Sequence, residues 1–103
     1  NKGTMTARDG NNAESVFKAL ADGGRREILR LLRGGEASAG TLARQLQLTP
    51  ATTSHHLGLL RKAGLVRVRR DGQQRLYALN TSVVEEVLLR VSELLQKQED
   101  KDS

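Results

Sequence analysis

Between Leu48 and Val66 the chain reads LTPATTSHHLGLLRKAGLV, and this stretch holds the residues best equipped for chemistry. It contains the only two histidines, His55 and His56, together with Thr49, Thr52, Thr53 and Ser54, and it closes on Arg61 and Lys62. Such groups could line a catalytic centre, hold a metal or meet a nucleic acid. Neighbouring residues on a helix diverge by about 100°, so His55 and His56 make a poor chelate for one ion. The chain has no cysteine, which removes thiolate ligands, thiol nucleophiles and disulfides. No Ser-His-acid arrangement stands apart from ordinary surface chemistry. The expectation is therefore no enzyme, no cofactor and no metal site.

A nucleic-acid surface fits better. On a helical wheel from Pro50 to Lys62, Thr53, Leu57 and Leu60 share one side, Leu59 flanks them, and His56 lies one turn before Leu60. Ala51, Ser54, His55, Gly58 and Lys62 fall on the other side, with Arg61 beside them. Small residues let a helix sink into a groove, Ser and His exchange hydrogen bonds with base edges, and Arg and Lys hold phosphates. A recognition helix uses its N-terminal residues on bases. Thr49, Pro50, Ala51, Thr52, Ser54 and His55 are thus expected at the DNA, with Arg61 and Lys62 behind them. His56 is expected to pack inside the domain and hydrogen-bond there.

Charge follows the same stretch. Residues 44–75 carry Arg44, Arg61, Lys62, Arg67, Arg69, Arg70 and Arg75 against Asp71 alone, net +6. Residues 1–43 are net +2 and residues 76–103 net −3. A positive block focused on one region attracts polyanions.

The elements that must position this surface can be read along the chain. NNAESVFKALAD offers Asn11 or Asn12 as a cap, then Val16, Phe17, Leu20 and Ala21 on one face, ending near Gly23-Gly24. RREILRLLRGG repeats the pattern and ends at Gly34-Gly35. SAGTLARQLQL gives a short third helix capped by Ser38, with Leu42, Ala43 and Leu46 inward. Thr49 caps the fourth helix, Pro50 suits its first position and Gly64 closes it. The period then changes from 3.6 to 2: LVRVRR and RLYALN alternate as two strands around a DGQQ turn. Arg69, Arg70, Gln73, Gln74 and Arg75 crowd the hairpin and are expected on phosphates or in the minor groove. A last helix runs to about Lys97.

The fold class read from this order is mainly α, α-α-α-α-β-β-α: a winged helix-turn-helix of five helices and a two-stranded hairpin. Residues 1–11 read as a disordered start, with Met5 as the natural first residue. Residues 12–97 read as the DNA-binding and dimerisation domain, and 98–103 as a polar tail. With 103 residues and 2% aromatics, the core is thin and built of Leu, Val, Ile and Ala, which favours pairing with a second copy. Val84, Leu88, Val91 and Leu95 recur at helical spacing, and Val83, Val87 and Leu94 widen the stripe beyond what a small monomer covers. The expected dimer interface is Val16, Phe17, Leu20, Val84, Val87, Leu88, Val91 and Leu95. A two-fold dimer presents two recognition helices about 34 Å apart. No apolar run approaches the roughly 20 residues that span a bilayer, and no signal peptide is visible, so no membrane insertion and a cytoplasmic location are expected.

FKALADGGRREILRLL, TLARQLQLTPATTSHHLGLLRKAGLV and VRRDGQQRLYALN resemble the ArsR/SmtB winged-helix repressors over about Val16 to Leu95. SAGTLA and SHHL resemble the SdpR-like autorepressor branch. The resemblance implies a homodimer on double-stranded operator DNA, released by a signal. It implies that Pro50, Ala51, Ser54 and His55 face the major groove and that the first and last helices pair. There are departures. Family members often read D-P-T-R where this chain has Asp22-Gly23-Gly24-Arg25, which is expected to loosen the start of the second helix. The frequent Gln and Ser at the helix start are Pro50 and Ala51. Metal-sensing members carry C-V-C where this chain has Ser38-Ala39-Gly40, so the signal is expected to be non-metal. A small molecule or a membrane-protein partner would each fit, and the sequence names neither. The competing reading is a winged-helix adaptor that binds protein without reading DNA; such modules generally lack a coherent basic stripe on helix and wing.

Overall fold

The computed structural model describes residues 14–102, with side chains as far as residue 96. The expected unstructured start, the Asn11 or Asn12 cap and Met5 lie outside the described residues. In chain order the elements are α1 (14–20), α2 (Gly23–Leu32), β1 (Ala37–Ser38), α3 (Ala39–Leu46), α4 (Pro50–Lys62), β2 (Val66–Asp71), β3 (Gln74–Leu79) and α5 (Thr81–Asp102).

The expected order of helices and hairpin is present, with one addition. Ala37 and Ser38 pair with Tyr77 and Leu76, so the wing is a three-stranded antiparallel sheet in the order β1-β3-β2. β2 and β3 pair from Val66↔Leu79 to Asp71↔Gln74, leaving only Gly72 and Gln73 to turn. Gly72 has φ +66, the sign that the primed two-residue turns require at their first central position.

The core gathers Val16 and Ala19 of α1, Ile28 and Leu32 of α2, Leu42 of α3, Leu57 and Leu60 of α4, then Ala63, Leu65 and Val66. Val83, Val84 and Val87 of α5 pack partly buried against this cluster. Apolar positions three and four apart on every helix face this one centre, which is why short helices of modest propensity hold their places.

Two expectations about element ends change, and one about the interface. Gly23 and Gly24 do not end α1; they form the first turn of α2. Asp22 is the N-cap, its carboxylate accepting from Arg25 N–H at 3.2 Å, so the start of α2 is fixed by an acidic cap. That hydrogen bond holds the Asp22 carboxyl below its ordinary value. Second, α5 runs on to Asp102 rather than ending near Lys97. QKQEDKD holds good helix formers and no Gly or Pro to stop them. Third, Val16 is 3% exposed and belongs to the protomer's own core, so it has almost no surface for a partner.

Candidate nucleic-acid interface

The recognition segment is built from its cap upward. Gln47 ends α3 in the left-handed conformation, with φ 56 and its N–H on the carbonyls of Ala43 and Arg44. This reverses the chain within three residues and delivers Thr49 as the N-cap of α4. The Thr49 hydroxyl accepts from Thr52 N–H at 3.1 Å, and Pro50, which has no N–H to satisfy, takes the first turn. Thr53, fully buried, donates its hydroxyl to the Thr49 carbonyl at 2.9 Å. Leu57 and Leu60 then anchor the helix in the core. The opposite face, Ala51, Thr52, Ser54, His55, Gly58, Arg61 and Lys62, is exposed throughout.

His56 is buried, and its Nδ1 lies 3.3 Å from Arg25 Nη1. The two histidines therefore part company as the wheel implied. His55 looks outward with Ser54; His56 looks inward.

The wing stands beside α3 and α4. A groove of about 690 Å³ runs between them, lined on the helix side by Gly40, Thr41, Arg44 and Ser54 and on the wing side by Gln74 and Arg75. Arg44 and Thr41 were not among the residues singled out from sequence. Arg44 counted only toward the charge of its region, and nothing in its neighbours' letters shows that α3 turns it toward Ser54. Arg70 and Arg75 are direct cross-strand partners. Like charges so placed repel unless an anion or solvent separates them. Neither takes part in any of the ion pairs found among the described residues.

Arg69 departs from expectation. Its Nε and Nη2 donate to the two carboxylate oxygens of Glu36 at 2.7 and 2.9 Å. This bidentate pair ties the wing to the chain just before β1, and hydrogen bonding to Arg69 holds the Glu36 carboxyl below its ordinary value. Arg69 thus braces the wing while its side chain stays exposed at the surface. The other expected contacts, Thr49, Pro50, Ala51, Thr52, Ser54, His55, Arg61, Lys62, Arg70, Gln73, Gln74 and Arg75, are all exposed.

On α5 and α1 the remaining apolar surface is large. Phe17 is 56% exposed, Leu88 63% and Leu95 62%, and Leu89, Val91 and Leu94 extend the row. Leu20, Val84 and Val87 are instead partly buried against the core. Leu94 belongs to the stripe read from the sequence, and Leu89 lies outside it. No described helix is long and apolar enough to cross a membrane.

A helix-turn-helix domain family matches residues 20–69, which begin in α1 and take in β1, the α3–α4 unit and most of β2. The transcriptional repressor SdpR of Bacillus subtilis (strain 168) is 42% identical over 72 residues, covering 70% of this chain and 80% of that protein. The chain belongs to the ArsR family of winged helix-turn-helix transcriptional regulators. An ArsR-like transcriptional regulator from Rhodococcus sp. RHA1 superposes with a TM-score of 0.81 at 26% identity, covering 90% of this chain and 88% of that one. A homodimeric winged helix-turn-helix DNA-binding domain from Mycobacterium bovis superposes with a TM-score of 0.73 at 30% identity, covering 90% and 86%.

Proposed function

We propose that this protein is a homodimeric, sequence-specific repressor, that it reads operator DNA through the N-terminal half of α4, and that it acts in the cytoplasm by binding rather than by catalysis. The observation that carries this is the placement of Ser54 on one groove with Arg44 and Arg75, so that one duplex meets base-reading and phosphate-holding groups together. Repression and possession of a second subunit are supported by the likeness to SdpR, a transcriptional repressor, and to the homodimeric M. bovis domain. The dimer face proposed is the exposed row of α5 with Phe17.

Base reading and backbone holding separate by mutation. His55→Ala is expected to cost about 1–3 kcal/mol on the operator and little on random duplex. Arg70→Ala and Arg75→Ala should weaken both to a similar degree, because phosphates carry no sequence. Arg69→Ala should act through wing placement. Fluorescence anisotropy on both duplexes tests this, and a His55→Ala loss equal on both would remove the base-reading role.

The releasing signal proposed is a non-metal ligand or a protein partner. Ser38, where metal-sensing members carry a cysteine, spends its hydroxyl on capping α3 through Thr41 N–H at 3.1 Å. Gly40 offers no ligand atom. Among the described residues no three His, Asp or Glu side chains gather as a cluster. Micromolar zinc, cadmium, nickel or arsenite should therefore shift operator affinity by less than tenfold, about 1.4 kcal/mol of coupling, relative to an EDTA control. A tenfold loss at stoichiometric metal would refute it.

A further inference from the structure

Arg25 is a cation buried to 9% exposure whose guanidinium meets two backbone carbonyls and an imidazole rather than a carboxylate. Its Nε donates to the Ala19 carbonyl at 2.8 Å and its Nη2 to the Lys18 carbonyl at 3.1 Å, both at the C-terminal end of α1. Its Nη1 meets Nδ1 of His56, on α4, at 3.3 Å. One side chain of α2 thus holds the end of α1 and the middle of α4 at once. A helix C-terminus is the negative end of its dipole, which favours a guanidinium there.

A guanidinium only donates, so in this contact Nδ1 of His56 is the acceptor. Nε2 in turn points at the Asp22 carboxylate, 3.8 Å away. The charged and titratable groups facing the ring are Arg25 from α2, Asp22 from the α1–α2 turn and His55 beside it on α4, 6.2 Å between ring centroids. The ring has little room to move: a Cβ at Gly24 would stand 2.9 Å from its Nε2.

We propose that Arg25 and His56 are positioning residues for DNA reading: they join the end of α1 to α4, so that the angle at which Ser54 and His55 meet a duplex is set from α1. This rests on the DNA-reading role of α4, but half of its test uses no DNA. Phe17 lies on α1 one residue before Lys18, so whatever covers its exposed ring acts on the same helix end that Arg25 holds.

The variants are His56→Asn, which keeps an acceptor near the Nδ1 position; His56→Leu, which removes it; and Arg25→Met. Among folded proteins, His56→Leu should lose about tenfold or more in operator affinity and His56→Asn should recover most of that loss. Arg25→Met, which also releases the Ala19 and Lys18 carbonyls, should lose at least as much, and adding His56→Leu to it should cost nothing further, because the Arg25–His56 contact is already gone. Wild-type affinity in His56→Leu, or additive losses in the double variant, would overturn the proposal. Should His56→Leu fail to fold, nitrogen NMR of the wild-type imidazoles without DNA decides. His56 with a bare Nδ1 and a protonated Nε2 at alkaline pH supports the link, and the opposite tautomer overturns it.

Discussion

Raising the salt concentration from 50 to 200 mM is expected to lower operator affinity by roughly 10³-fold or more. Six cations per protomer, Arg44, Arg61, Lys62, Arg67, Arg70 and Arg75, are exposed and take part in no ion pair among the described residues. Arg69 is left out of that set because Glu36 occupies it. A dimer doubles the set, and since not every side chain reaches the backbone at once, about 6–10 phosphates are neutralised. Each contact releases condensed counterions, so the logarithm of affinity falls linearly with the logarithm of salt. Anisotropy across the range gives the slope. A nearly flat response would mean that the basic groove is an ordinary solvated surface.

Leu88→Asp is expected to yield a folded monomer that no longer holds operator DNA. Leu88 is 63% exposed in the protomer, so an aspartate there meets water and leaves the core intact. In a dimer formed through α5, the same carboxylate would be buried without a partner. That costs about 3 kcal/mol or more, on the order of 10²-fold in the dimer constant. Losing the second recognition helix then removes most of the operator affinity, because each half-site binds alone. Light scattering with circular dichroism checks both parts. A folded, fully dimeric variant would rule this face out.

Local signals were legible in the sequence wherever the physics is local. Thr49 and Pro50 announce the start of α4 because a cap and a fixed φ act within one turn, and Ser38 does the same for α3. The change of period after Gly64 marks the hairpin for the same reason. The inward turn of His56 followed from its place on the wheel, but its partner did not, since Arg25 is 31 residues away. Contacts across the fold stayed hidden. β1 is two residues long, too short for alternation to show, and exists because β3 lies open beside it. Arg69 looked like its basic neighbours until Glu36, 33 residues distant, was found on its guanidinium. Gly23-Gly24 read as a stop signal because glycine is common after helices, yet Asp22 capping the next helix decides the matter. Val16 and Phe17 both suit an interface by type; packing buries the first and leaves the second open. The candidate site shows the same division, since the exposed face of α4 was predictable and the contribution of Arg44 to its groove was not.

Sequence-specific reading by a two-fold dimer is tested most directly by selecting bound duplexes from a randomised pool with the wild-type protein at moderate salt. The account predicts enrichment of an inverted repeat whose half-site centres lie about 10–10.5 base pairs apart, or a multiple of that spacing, as two recognition helices on one face of the duplex require. A bound pool with no enriched sequence, or one enriched only in a single unrepeated site, would contradict it.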